Sequence, residues 1–230
     1  MVQLVLREEY AVKNVRIWFR KVGLAKYISH LDLNRCMLRA IHKAKISLWY
    51  TQGYNPHPFI TFALPLSLGI CGERESMDLK LEDDDITKEE IIEKLNSALP
   101  HDIKVFDVTE PVMKPGKIAY ASFIIKINPE NKNIDEIVIQ IDELFKQDSI
   151  IVSKHTKNGY IDMDIKPYLD KTVVTKIKGK IVISTMIPAG STFNINPNLL
   201  CDSINKYLNL NLFTEITRIN IYNESLEEFK

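Results

Sequence analysis

The sequence contains little cysteine and no long apolar run, and these absences exclude several classes of protein. The three cysteines, Cys36, Cys71 and Cys201, are odd in number and far apart, so neither a disulfide framework nor a CxxC metal site is indicated. No apolar run approaches the roughly 20 residues that span a bilayer. The start MVQLVLREEY also lacks the basic and apolar regions of a secretory signal. We therefore expect a cytoplasmic protein that contacts no membrane.

The common signatures of catalysis are missing as well. The chain has no GxxxxGK[ST] phosphate loop, no GxGxxG after a strand, no GxSxG elbow and no HExxH. These absences remove most nucleotide-driven and metallohydrolase functions. Because no three cysteines are closely spaced, the chain cannot by itself hold an iron-sulfur cluster through thiolates. We expect this chain to bind no metal and no cofactor.

The composition is that of an ordinary globular protein, and the length suits two domains. Of the 230 residues, 45% are hydrophobic and 26% are charged. The stretch EPVMKPGK, which contains Pro111, Pro115 and Gly116, breaks the pattern of regular elements and is typical of a linker. We predict a first domain over residues 1–112 and a second over residues 117–230.

Hydrophobic periodicity predicts an α+β fold. The segment VRIWFRK alternates as a strand, with Arg16, Trp18 and Arg20 on its outward face, and a helix follows from Ser29 to Lys45. The first domain then reads β-α-β-β-β-α-β, or β-α-β-β-α-β if ISLWYT and FITFALPL form one bent arm. Similar element order recurs in the second half, which ends with a helix opened by Asn196 and the strand EITRINIY. We predict two ferredoxin-like α/β sandwich halves in tandem.

Charge is distributed unevenly along a chain whose net charge is zero. Residues 11–72 contain nine basic residues and one acid, whereas residues 73–110 contain thirteen acids and five basic residues. A basic segment of this kind can attract a phosphate-rich partner, although two solvated faces that attract each other would give the same pattern. The nucleic-acid-binding candidates are Arg16, Arg20, Arg35, Arg39 and Lys43. Trp18 and Tyr54 are candidate stacking groups for RNA bases.

Two polar loops supply the candidate ligand-binding residues. Ser29, His30 and Asp32 lie at a helix N-terminus, which favours an anion, although capping alone explains Ser29 and Asp32. The second loop holds Gln52, Asn55 and His57, and turn geometry explains its glycine and asparagine. His57 lies between two prolines, which present its imidazole at little ordering cost. If the strands before and after the first helix are parallel with one strand between them, both loops share one rim of the sheet.

At these residues the sequence resembles the radical SAM-linked protein family, whose function is unknown. The resemblance rests on VRIWFRKVG, YISHLDLNRCMLRAIHKAKI and YTQGYNPHPFITFALPLSLG, with a weaker match at DIKPYL in the second half. Its motif residues here are Ser29, His30, Asp32, Gln52, Gly53, Asn55, Pro56, His57 and Pro58. The same block is more loosely similar to the CRISPR repeat-processing endoribonucleases, which are tandem ferredoxin-like proteins that grip RNA.

The resemblance implies an accessory or substrate-binding role. A radical SAM partner protein would carry the iron-sulfur cluster and S-adenosylmethionine, and this chain would dock RNA or a ribonucleoprotein for it. Two alternatives remain open at the level of sequence. One is a protein-protein adaptor that binds no nucleic acid. The other is a metal-independent endoribonuclease that uses His30 and His57 as acid and base.

Overall fold

The computed structural model describes residues 12–82, 85–129, 132–156 and 159–230, and these ranges contain both α-helices and β-strands. The predicted α+β class is therefore confirmed. The chain divides into two compact units. The first comprises the residues up to Leu68 together with Glu75–Val112, and the second comprises Gly69–Arg74 together with Met113–Lys230. The division after Val112 falls within the stretch EPVMKPGK, and the domain assignment to residues 1–112 and 117–230 stays a prediction. No helix of the described ranges is long and apolar enough to cross a membrane.

In its described residues, the first unit contains two α-helices and a sheet with the strand order β4-β1-β3-β2. Its helices begin where a side chain can cap them, and its strands carry the apolar residues of a shared core. The elements are β1 (Lys13–Lys21), α1 (His30–Lys43), β2 (Ile60–Phe62), β3 (Cys71–Leu81, whose first four residues belong to the second unit), α2 (Lys88–Ala98) and β4 (Ile103–Thr109).

The core of this unit forms where α1 packs against the apolar face of β1. Leu33, Met37 and Ile41 recur at helical spacing, and each is at most 3% exposed. They belong to one buried cluster with alternate residues of β1, including Ile17 and Phe19. Burial of this face fixes which side of α1 meets solvent, and that side carries the basic residues of the candidate site.

The segment before β2 differs from the predicted strand ISLWYT. Leu48 and Tyr50 form only isolated bridges, to Leu81 and to Pro58. After Tyr50 the chain leaves the sheet as a loop. The amide of Thr51 donates to the carbonyl of His57 at 2.9 Å and so joins the two ends of this loop. Strand pairing with β3 resumes only at β2, where Ile60 is opposite Leu79. The two predicted strands are thus one interrupted edge arm, with the QGYNPHP motif in the interruption.

The second unit contains a sheet with the order β10-β5-β9-β8 and a separate hairpin of β6 and β7. Its elements are β5 (Ile118–Asn128), α3 (Ile134–Phe145), β6 (Ile151–Thr156), β7 (Gly159–Asp164), β8 (Val173–Ile177), β9 (Lys180–Pro188), α4 (Pro197–Leu208) and β10 (Phe213–Asn223). Strand β8 was not predicted. The first residues of β3 also pair here, because Cys71 and Gly72 lie parallel to Thr217 and Arg218 of β10.

Candidate functional site

The N-terminus of α1 is fixed by a reciprocal cap. The hydroxyl of Ser29 accepts a hydrogen bond from the amide of Asp32 at 3.1 Å and donates to the Asp32 carboxylate at 2.7 Å. That hydroxyl bond lowers the pKa of Asp32 below its ordinary value, and Arg35 and Arg39 lower it further. Asp32 therefore stays ionised in neutral solution. The N-cap role predicted for Ser29 is confirmed, whereas the Asp32 carboxylate binds the Ser29 hydroxyl.

The loop that leads into α1 is held by Asp102, at the start of β4. Its carboxylate accepts from the amide of Leu24 at 2.8 Å, and this bond lowers the pKa of Asp102. Gly23 has a φ of +56°, and a Cβ there would meet the Asp102 carboxylate at 2.6 Å. Only glycine fits both the conformation and the space. The position of Ser29 and His30 thus depends on a residue that the sequence analysis did not identify.

The solvent-facing side of α1 carries a basic groove, defined here as the surface lined by Arg35, Arg39 and Lys43 from the helix and by Ala98, Leu99 and Pro100 from the corner after α2. The cavity has a volume of about 510 Å³ and also includes Asp32 and Cys36. The three cations are exposed. Arg35 also donates to Asp32 at 3.2 Å, but both side chains remain more than half exposed, so this ion pair contributes little stability.

Arg35, Arg39 and Lys43 lie side by side because of their spacing along α1. They follow one another at intervals of four residues, which places them on one face of a helix with neighbouring Cβ atoms about 5–6 Å apart. Among the residues that the structure describes, Asp32 is the only acidic side chain in the lining of the groove. Burial raises the pKa of the Cys36 thiol, and this cysteine therefore remains protonated beside Arg39. The groove thus presents a net positive charge to solvent.

The two candidate histidines have separate, local contacts. The ring of His30 meets the ring of Phe62 edge-on, with centroids 5.0 Å apart. His57 Nδ1 lies 3.1 Å from the Thr51 hydroxyl and 3.2 Å from the Asn55 carbonyl. Both histidines are exposed. Neither imidazole has the other within hydrogen-bonding reach in the described part of the chain, and the shared rim stays a prediction.

The QGYNPHP loop projects its remaining side chains into solvent. Gln52 and Asn55 are exposed, and Tyr54 is 100% exposed. Gly53 has a φ of +145°, which agrees with the turn geometry expected of it. The amide of His57 donates to the Thr51 hydroxyl at 3.1 Å and so closes the base of the loop. The loop therefore presents a fully solvated aromatic ring on a braced backbone.

The outward face of β1 is not the surface that the alternating pattern predicted. Arg16 is 0% exposed and binds Asp78 through two hydrogen bonds, of 2.6 and 2.8 Å. Trp18 is 2% exposed, and its Nε1 donates to the Thr109 hydroxyl at 2.9 Å. The surface position expected of both residues is wrong, because each is buried with a polar partner on a neighbouring strand. Arg20 alone of the three is exposed, with its guanidinium 5.8 Å from the centre of the Phe106 ring.

The candidate phosphate-binding residues therefore separate into different places. Arg35, Arg39 and Lys43 share the basic groove, whereas Arg20 lies at the edge formed by β1 and β4, and Arg16 does not reach solvent. Cys36 and the Leu99–Pro100 corner also line the groove, and neither was predicted from the sequence. Pro100 directly after an amphipathic helix was a signal of a corner, but no pattern in the sequence connects that corner with α1.

Comparisons with known proteins identify a family but no activity. A family model described as "Uncharacterized protein conserved in bacteria (DUF2344)" matches residues 14–197, a span that includes the SHLDL, QGYNPHP and DIKPYL motifs. This match shows that the chain belongs to that family and confirms the expectation of a family of unknown function. The linkage to radical SAM proteins and the similarity to CRISPR endoribonucleases stay predictions. No curated protein matches the sequence.

Among solved structures, the chain is similar to one in the crystal structure of a Cbf5-Nop10-Gar1 complex, with 11% identity and a TM-score of 0.49. That likeness covers 91% of this chain and 50% of the other. This protein thus spans about half the length of that relative. A second likeness, to an unknown protein from Galdieria sulphuraria, has 10% identity and a TM-score of 0.26, and covers 90% of this chain and 99% of that one.

Proposed function

We propose that this chain, which belongs to the uncharacterized bacterial family DUF2344, is a cytoplasmic accessory protein that binds RNA through the basic groove of α1. One observation carries the proposal: Arg35, Arg39 and Lys43 are exposed side by side over a cavity of about 510 Å³. A row of cations at this spacing neutralises successive charges of a polyanion and releases its condensed counterions. The neutral net charge of the chain does not oppose this, since attraction acts locally at the groove.

The proposed assembly includes a radical SAM partner that carries the iron-sulfur cluster and S-adenosylmethionine. This part rests on the resemblance of the SHLDL and QGYNPHP blocks. It agrees with two exposed loops whose backbones are braced by Asp102 and by Thr51. Such loops contact a partner without a large ordering cost. Within this proposal, α1 binds the RNA, and the motif residues Ser29, His30, Asp32, Gln52, Asn55 and His57 face the partner or its substrate.

We also propose that each unit is ferredoxin-like. The first unit has the order β-α-β-β-α-β and the sheet β4-β1-β3-β2. If the hairpin of β6 and β7 is treated as an insertion, the second unit repeats that order, and its sheet β10-β5-β9-β8 corresponds strand for strand. Tandem units of one topology support an origin by duplication, with the two motif loops confined to the first copy.

Binding of mixed single-stranded RNA by the full chain tests the groove. At about 50 mM salt, saturable binding is expected, with affinity falling as a power of salt concentration. The double variant Arg39→Glu/Lys43→Glu should bind at least about tenfold more weakly. The matched control is Lys94→Glu/Lys104→Glu, which changes the charge equally at two exposed positions of the same unit that do not line the groove. The control should change affinity by less than about threefold.

Each contrary outcome has a defined meaning. Absence of RNA binding at low salt removes the proposal and favours the adaptor. Equal losses in both double variants would show that only overall charge matters. Cleavage of the RNA in the presence of a metal chelator would instead support the endoribonuclease, provided that His30→Ala or His57→Ala abolishes it.

A further inference from the structure

A second cavity, in the second unit, lies at the motif DIKPYL and takes no part in the proposed RNA groove. Its volume is about 380 Å³, which is within the usual range for small-molecule sites. Its lining includes the side chains of Tyr120, Tyr168, Asp170, Lys171, Met186 and Glu224. Four segments meet there: the strands β5 and β9, the turn after β7, and the turn after β10.

The strands supply a half-buried floor. Ala121, which follows Tyr120, and Ile187, which follows Met186, are 0% exposed and lie in the core. Because successive residues of a strand point to opposite faces, Tyr120 and Met186 both point away from that core. In the pairing of β5 with β9, Met186 is opposite Ser122, so it is diagonal to Tyr120. The floor thus joins an aromatic ring to a polarisable thioether, which suits a flat apolar ligand.

The DIKPYL turn forms a fixed wall. One carboxylate oxygen of Asp164 accepts from the amides of Ile150 and Lys166, at 2.8 and 3.0 Å. Lys166 in turn donates its ammonium to the carbonyl of Phe145. Ile165 is 0% exposed and anchors the turn in the core. Tyr168 is therefore held over the cavity before any ligand arrives, which lowers the ordering cost of binding.

The turn after β10 closes the third side under backbone strain. Leu226, in the cavity lining, has a φ of +62°, a conformation that disfavours a bulky side chain. Asn223 holds it there: its side chain donates to the Glu227 carboxylate at 2.7 Å and accepts from the Glu227 amide at 2.9 Å. Strain that the surroundings maintain in a cavity lining is a recurrent feature of ligand sites.

The polar groups at the cavity select the chemistry of the ligand. Asp170 and Glu224 are acceptors when ionised, and Lys171 is a donor. All three are exposed. An organic cation would suit the two tyrosines and two carboxylates, but Lys171 would repel it. Guanine matches the full set, because its Watson–Crick edge places two N–H donors beside an oxygen acceptor, and its ring can stack on tyrosine.

We infer that this cavity is a binding site for a guanine base, with Tyr120, Tyr168 and Met186 contacting the ring, Glu224 and Asp170 accepting from its N–H groups and Lys171 donating to its carbonyl oxygen. The site lies in a different unit from the basic groove, and it does not depend on RNA binding there. The base can come from a free nucleoside or from a single-stranded RNA.

Calorimetric titration of the full chain with guanosine tests the inference. Guanosine should bind saturably, inosine (which lacks the amino group) about tenfold more weakly, and adenosine more weakly still. Glu224→Gln keeps the shape but removes the charged acceptor, and Tyr168→Ala removes the stacking wall. Each should weaken guanosine binding by about tenfold. Glu215→Gln, an equal change at an exposed position of β10 outside the cavity, should leave it unchanged.

Equal affinity for guanosine and adenosine overturns the inference, as does saturable binding of spermidine without binding of guanosine. The inference is also overturned if Glu224→Gln, like Glu215→Gln, leaves the affinity for guanosine unchanged. Competition between guanosine and the pentamer UUGUU then identifies the source of the base. Tighter binding of the pentamer supports a guanine within RNA, and tighter binding of guanosine supports a free nucleoside.

Discussion

At the scale of single residues, the pair Arg16–Asp78 shows how a partner decides exposure. Alternation alone placed Arg16 outward, since a charged residue opposite an apolar face is usually solvated. The structure instead buries its side chain completely and leaves that of Asp78 14% exposed. The sequence contains no sign of this pairing, because the two residues lie on different strands far apart in the chain. Surface assignments from alternation therefore fail wherever a remote carboxylate compensates the charge.

This pair gives a stability prediction. Asp78→Ala should lower the free energy of unfolding by about 3–5 kcal/mol, because Arg16 loses its carboxylate in a buried position. Urea denaturation measures the loss. The control is Lys88→Ala, which breaks the exposed pair with Asp107 and should cost less than about 1 kcal/mol. Similar losses in the two variants would show that Arg16 does not require Asp78.

At the scale of elements, helices were predicted well and short strands poorly. Both helices of the first unit begin after a capping side chain, Ser29 or Thr87, which is a local signal that a sequence displays directly. Strand β8 was not predicted, although Gly179 is a local turn signal in the sequence. Lys178 and Gly179 form the two-residue turn into β9, and both have positive φ. The break in ISLWYT has no local signal, since it depends on a contact between Thr51 and His57.

The cap of α2 gives a prediction at this scale. Thr87→Ala should lower stability by about 1 kcal/mol at neutral pH, since the side chain satisfies the amide of Glu90. The amide and hydroxyl of Thr87 lower the pKa of Glu90. The stability that these bonds contribute is present above the pKa of Glu90 in the unfolded chain and is lost as pH falls through its lower folded pKa. The free energy of unfolding of Thr87→Ala should therefore depend less steeply on pH in acid than that of the wild type. Ser97→Ala, in the last turn of α2, should leave that limb unchanged; equal flattening would contradict the assignment.

At the scale of the whole molecule, the sequence predicted the α+β class, and it carries no sign that Gly69–Arg74 groups with the second unit. Composition reports where a chain changes character, and Pro111, Pro115 and Gly116 did so. The transfer of Gly69–Arg74 to the second unit depends on pairing of Cys71 and Gly72 with β10. Such a long-range contact leaves no mark in local composition. The candidate site divided in the same way: α1 was readable as one helix face, whereas the corner that completes its groove was not.

Alkaline stability is a prediction for the whole molecule. Burial raises the pKa of Cys201 from 9.0 to about 11. Between these values the unfolded chain releases the proton and the folded chain keeps it, so stability is fully present below pH 9 and decreases as pH rises toward 11. The loss should reach about 3 kcal/mol. Cys201→Ala removes this component, so its stability should fall less steeply than that of the wild type. Parallel curves from denaturation at each pH would contradict the prediction.

The division of β3 between the two units has a consequence for synthesis. On the ribosome, the chain through β4 emerges long before β10, yet Cys71 and Gly72 need Thr217 and Arg218 as their strand partners. Until those residues are translated, the start of β3 is an open strand edge, and open edges pair readily with other chains. The nascent chain therefore passes through a period in which that edge lacks its partner strand and is open to pairing with other chains.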